Sequence, residues 1–148
     1  MLRDRSTTVR RTLVAAVLVL AVSLAGCLND QQQTVLDELN ADRRANRRTV
    51  LAANVEAAQT KAQAWAEHLA RQGSLSHSNL ASGMTGVRWC GLAENVGYGS
   101  SIAAVEDQFM ASAGHRANLL GTSWDAVGVG YARSGSRHYV VQFFVNLC

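Results

Sequence analysis

Proline is absent from this chain of 148 residues, lysine occurs once, at Lys61, and aromatic residues make up only 6%. With no proline, no internal repeat and no low-complexity tract, the sequence holds neither a Pro-rich linker nor a repeat array. Its longest apolar run, Leu13 to Ala25, has 13 residues and is interrupted only by Ser23. A comfortable membrane-spanning helix needs about 20. The HExxH pattern and the nucleophile elbow, which mark a zinc peptidase and a serine hydrolase, are also missing. Cysteine is scarce but countable: Cys27, Cys90 and Cys148.

The segment before Cys27 reads as an export signal. Arg3, Arg5, Arg10 and Arg11 precede an apolar run of signal-peptide length, which closes on Leu24, Ala25, Gly26 and Cys27. Small residues just before a cysteine resemble the bacterial lipobox, in which the cysteine is lipidated and becomes the new N-terminus. An ordinary cleaved signal and an uncleaved anchor helix are the alternatives. The lipobox reading divides the chain into a lipoprotein-type signal peptide (1–26), a polar, lipid-anchored tether (27–33) and one domain (34–148). Localisation would then be the outer face of the bacterial cell membrane, or the medium. The signal holds four arginines and Asp4, so ten residues of each sign remain from the 14 basic and 11 acidic of the whole chain. The basic balance of the precursor is therefore no argument for a nucleic-acid partner, and a monomeric domain is expected.

Three cysteines are odd for an exported protein. If Cys27 carries lipid, Cys90 and Cys148 remain as an even pair in an oxidising compartment. Two free buried thiols are the alternative, but a cysteine at the last position suits pinning a C-terminus better than filling a core.

The periodicity predicts α+β. Thr34 can cap a first helix that turns Val35, Leu36, Leu39 and Arg43 inward and ends in the polar "RRANRR". Asn54 can cap a second, with Val55, Ala58, Ala62, Trp65, Ala66 and Leu69 spaced three and four apart and Gly73 just past the end. Residues 74–93 read as loop. Ser100 or Ser101 caps a third helix, with Ile102, Val105, Phe109 and Met110 inward and Gly114 ending it. "AVGVGYAR" and "RHYVVQFFVNL", joined by Ser134 to Ser136, read as a hairpin against which the helices pack.

Among the four histidines, His68 and His138 read as surface residues. His77 lies in the loop after the second helix, His115 follows the third, and Glu94 opens a short extended piece between them. Two imidazoles and a carboxylate suit either a zinc site or acid/base work. The bland alternative is a capping Glu94, a loop His77 and a His115 favoured at a helix C-terminus by the dipole.

Taken in order, "LSHSNL", "AENVGYG", "FMASAGHRANLL", "VGVGYA" and "YVVQFF" resemble the CAP superfamily, the SCP-type domain of cysteine-rich secretory proteins, antigen 5 and plant pathogenesis-related class 1 proteins, in its bacterial secreted branch. "VLDELNADRR" is similar to the family's first helix, with Asn40 and Arg43 at family positions, and Trp65–Ala66 to its second. The resemblance implies a three-layer α-β-α sandwich with a small antiparallel sheet and a cleft lined by two His and two Glu, which in some members holds a divalent metal. His77, Glu94 and His115 match three of the four. The second Glu has no counterpart: Ser112 and Ala113 stand at the helix end, with Glu106 and Asp107 upstream. A weakly bound zinc ion on His77 and His115 is the implied cofactor. The function implied first is a binding module for an apolar small molecule, lipid or envelope partner. A hydrolase using His77, His115 and Glu94, and an interaction protein with a vestigial cleft, are the alternatives. A Ser112–His115–Glu94 triad lacks the elbow that would present its nucleophile.

Overall fold

The computed structural model describes residues 27–148. The expected signal peptide, with Leu24 to Gly26 of the lipobox, lies outside the described residues. Helix α1 spans Asp30–Ala45 and α2 Glu56–Gln72; strand β1 (Trp89–Gly99) follows, then α3 (Ile102–Ala111), α4 (Ala113–Leu119), β2 (Ala126–Ser134) and β3 (Arg137–Leu147). Among the described residues no helix is long and apolar enough to cross a membrane.

Helix α1 begins four residues before Thr34. Asn29 caps it, accepting from the backbone of Gln31 and Gln32, while Gln32 reaches back to the Asn29 N–H and completes a capping box. The expected tether is therefore largely helical. Thr34 sits inside the helix and donates its hydroxyl to the Asp30 carbonyl. Helix α2 begins at Glu56, with Val55 rather than Asn54 at the cap and no side-chain cap bond. It ends as its sequence predicts: Gly73 takes φ 68° and returns its N–H to the Leu69 carbonyl.

The hairpin of β2 and β3 is present, but β1 joins it. The antiparallel order is β1-β3-β2, with β3 in the middle. β1 starts at Trp89, inside the stretch read as loop, and pairs from Trp89↔Leu147 to Gly99↔His138. Its glycines and its adjacent Glu94 and Asn95 hid the strand from an apolar pattern. The Cys90–Cys148 disulfide closes the open end of this pair, and Cys27 is the free, exposed cysteine.

One face of the sheet (Val127, Val129, Val140, Phe144) packs on Val35 and Leu39 of α1, Val105 and Phe109 of α3 and Leu119 of α4. The other (Val96, Tyr139, Val141, Phe143, Val145) packs on Ala58, Ala62, Ala66 and Leu69 of α2. The fold is thus the α-β-α sandwich, with α2 alone on one side. The free edge of β2 is covered by chemistry that imitates another strand. The Gln59 amide bonds both ways with the Val129 backbone (2.7 and 2.9 Å) and the Gln63 amide with Tyr131 (2.9 and 3.0 Å). Val127 donates to the Ala52 carbonyl. An edge left open would template pairing with another chain.

Candidate functional site

His77 is held from three sides. Trp65 donates its indole N–H to the Ser76 carbonyl, and Lys61 donates to the carbonyls of Asn79 and Ser82, so α2 side chains fix the 74–88 loop. The third tie is Glu94, 4% exposed on β1. Its Oε1 accepts from His77 Nδ1 and the Ser78 N–H, both at 2.9 Å, and its Oε2 accepts from the Ser78 hydroxyl at 2.7 Å. A buried carboxylate needs such donors, and both oxygens are engaged. Because a carboxylate only accepts, the His77 proton on this side is on Nδ1, and Nε2 is the ring nitrogen that Glu94 leaves unengaged.

His115 occupies a different setting from the one predicted. Helix α3 stops at Ala111, Ser112 takes an extended conformation (φ −90°, ψ 123°), and α4 restarts at Ala113. Gly114 lies inside α4, and His115 stands in its first turn rather than past a C-terminus. The dipole there does not favour imidazolium. Burial, then the neighbouring His77, hold the His115 pKa below its ordinary value. The ring is half-buried, its centroid 5.1 Å from that of Phe109. His77 and Glu94 are thus hydrogen-bonded, and His115 senses His77 electrostatically without bonding to either.

The rest of "AGHRANLL" is scaffold. Arg116 donates to the Met110 carbonyl, Asn118 to the Asn95 side chain, and Leu119 is buried. The Ser112 backbone spans the helix break, and no hydrogen bond joins its hydroxyl to His115 or Glu94. His68 stacks on Trp65 at 4.5 Å, and half-buried His138 bonds the Tyr131 hydroxyl.

The donor set does not fit the implied metal. Glu94 already orients His77 and Ser78 with both oxygens, the second carboxylate is missing, and among the described residues no group of three His, Cys, Asp or Glu is placed to hold an ion. Two imidazoles alone leave a zinc ion short of the three protein ligands of its catalytic sites.

The sequence motifs placed Glu106 only as an acid upstream of the site and did not mark Asn95 or Gln142. Glu106 stands on the inward stripe of α3 with Ile102, Val105 and Phe109, and Gln142 interrupts the apolar run of the central strand. Both spacings were visible signals of buried polar groups in need of partners.

Comparison with known proteins bears on the fold. No sequence relative was found among curated proteins. An outer surface protein from Borrelia burgdorferi superposes with TM-score 0.72 at 14% identity, over 81% of this chain and 95% of that one. An extracellular protein containing a SCP domain from Bacillus anthracis gives 0.62 at 22%, over 82% and 45%. A cysteine-rich secretory protein from Staphylococcus aureus gives 0.64 at 21%, over 78% and 38%. The chain thus spans less than half the length of the last two. The sequence model of the cysteine-rich secretory protein family, CAP, matches residues 36–146, so this chain belongs to the CAP family.

Proposed function

We propose that this is an exported protein of the bacterial envelope, anchored by lipid at Cys27, that binds a fatty acyl chain or similar lipid along α2. One observation carries the reading. A groove of about 680 Å³ runs along α2, with Ala57, Ala64 and Trp65 as its apolar lining, Glu56, Thr60 and Lys61 among them, and His68 and Arg71 toward the C-terminal end of the helix. The hollow that contains Cys27 and Leu28 shares Thr60 and Ala64 with it, so the expected anchor lies beside the groove. Apolar surface beside placed polar groups is the usual make-up of a small-molecule site, and this groove combines the two. His68 and Arg71 suit an anionic head group, whereas Lys61 is committed to the loop carbonyls. That the structural relatives are an outer surface protein, an extracellular protein and a secretory protein supports export.

The expected cleft function moves accordingly. His77 and Glu94 hold a loop to the sheet, and the edge they share with His115 offers a base without an aligned nucleophile. In cells, Cys27→Ser is expected to move the protein from the membrane fraction to a soluble or unprocessed form, since acyl chains supply the membrane affinity. Organic extraction and mass spectrometry of the purified protein should find lipid in the parent and little in Ala64→Arg, whose side chain fills the groove. A membrane-bound Cys27→Ser of unchanged processed mass defeats the anchor; equal lipid in both proteins defeats the groove.

A further inference from the structure

Glu106 has no part in the proposed function, yet it is among the most deeply buried charged residues. It is 4% exposed on the inner stripe of α3. Its Oε2 accepts from Gln142 Nε2 on the central strand, and its Oε1 is buried with no hydrogen-bond partner. Gln142 stands in register with Asn95 of β1. Asn95 Nδ2 donates to both Gln142 Oε1 and the His115 carbonyl, each at 3.1 Å, while Asn95 Oδ1 accepts from Asn118 at 3.0 Å.

The polarity of this chain is fixed at one end. A peptide carbonyl only accepts, so Asn95 must turn its NH2 toward His115. The second N–H of that group meets Gln142, which must therefore present its oxygen to Asn95 and its NH2 to Glu106. When Glu106 carries a proton, that proton is therefore on Oε1, which has no partner.

We propose that Glu106 is a proton switch whose state is transmitted through Gln142 and Asn95 to the His115 peptide, setting how α4 seats against β1. The groups around Glu106 favour its neutral form. Burial acts first, then the charges of Asp42 and Glu38 on α1 and Asp107 on α3, opposed by the Gln142 bond, and together they push its pKa up to about 8. From β1, β3 and α4 the chain offers neutral amides, and His115, held below its usual value, is uncharged in the same range. Ionisation places a charge on the partnerless oxygen between α3 and the sheet. Water must enter or α3 must shift, and α4 follows α3 across the extended Ser112 alone.

Linkage gives the sign for stability. The folded state keeps a proton that the unfolded chain releases near 4.5, so the Glu106 contribution to stability is full below that pH and is lost as pH rises through about 8.

The test is a pH titration of 13C,15N-labelled protein by NMR. The Glu106 carboxyl, the Asn95 and Gln142 side-chain NH2 groups, and the Arg116 amide nitrogen, which shares the His115 peptide, should shift with one midpoint near pH 8. In Glu106→Gln, an isostere of the protonated acid, the Arg116 amide should stay at its low-pH position and stability should lose its decline with pH. A Glu106 midpoint below about pH 6, an Arg116 amide that ignores the Glu106 titration, or a shift that persists in Glu106→Gln overturns the proposal. If Glu106→Gln does not fold, the wild-type titration alone decides between a shared midpoint and independent ones.

Discussion

Gly130→Ala is expected to cost about 4 kcal/mol or more, or to abolish folding. A Cβ at Gly130 would stand 2.0 Å from the Ala62 carbonyl oxygen and 2.4 Å from its carbon. Both atoms are backbone of α2, so no rotamer change relieves the overlap. The helix would have to lift from the sheet, opening the contacts of Ala58, Ala62, Ala66 and Leu69 with Tyr139, Val141 and Phe143. It would also pull the Gln63 amide from Tyr131 and expose the β2 edge. Overpacking usually costs 1–3 kcal/mol because side chains can give; here the obstacle is main chain. Gly128, whose added Cβ would meet the Ala58 carbonyl at 2.1 Å, should behave alike. Gly114→Ala is the control: an added Cβ meets nothing within 4 Å, in helical backbone, and should be neutral or slightly stabilising. Urea denaturation of the three variants checks the order.

Arg43→Met is expected to cost roughly 3–5 kcal/mol. The guanidinium is 2% exposed, and its bonds are to main-chain carbonyls: Nε to Thr49 at 2.7 Å, Nη1 to Leu119 at 2.7 Å and to Gly121 at 3.0 Å. One side chain thus ties the end of α1 to the turn that follows α4. Burial, with the nearby Arg48 charge second, holds its pKa below the usual arginine value, and the three carbonyl bonds are what offset that cost of burying a cation. Methionine preserves much of the apolar stem but leaves those carbonyls without donors, and a buried unsatisfied acceptor costs more than a made bond gains. Arg43→Lys should recover only part of the loss, because an ammonium lacks the planar fork that reaches all three carbonyls. A loss under about 1 kcal/mol for the Met variant would show that the turn after α4 does not depend on this anchor.

The sequence made the elements with a clean period legible. The stripe of α2 ends on its left-handed glycine as read, the hairpin stands where its β-branched runs lie, and Cys90 meets Cys148. Three features escaped because tertiary context decides them. Asn29 takes the cap that Thr34 could have supplied, since Gln32 closes a capping box around it. β1 carries too little apolar pattern to announce itself and exists through pairing with β3. The break at Ser112, which moves His115 from the end of one helix to the start of another, has no proline or glycine at the break itself. At the site, the motifs singled out His77, Glu94 and His115, but not how these side chains pair. Glu94 is consumed by Ser78 and His77, a contact between residues 16 and 17 positions apart that no spacing rule shows.

Ligand binding is proposed for the α2 groove and not for the His77–Glu94–His115 edge. Fluorescence titration with cis-parinaric acid, an apolar chain with one carboxylate, addresses it directly when run on the parent protein, Ala64→Arg and His115→Ala. The account predicts saturable binding by the parent, weakened about tenfold or more in Ala64→Arg, as loss of one well-buried apolar contact surface implies, and unchanged within twofold in His115→Ala. Binding that survives Ala64→Arg and is lost in His115→Ala would contradict it and return the ligand to the histidine-lined edge.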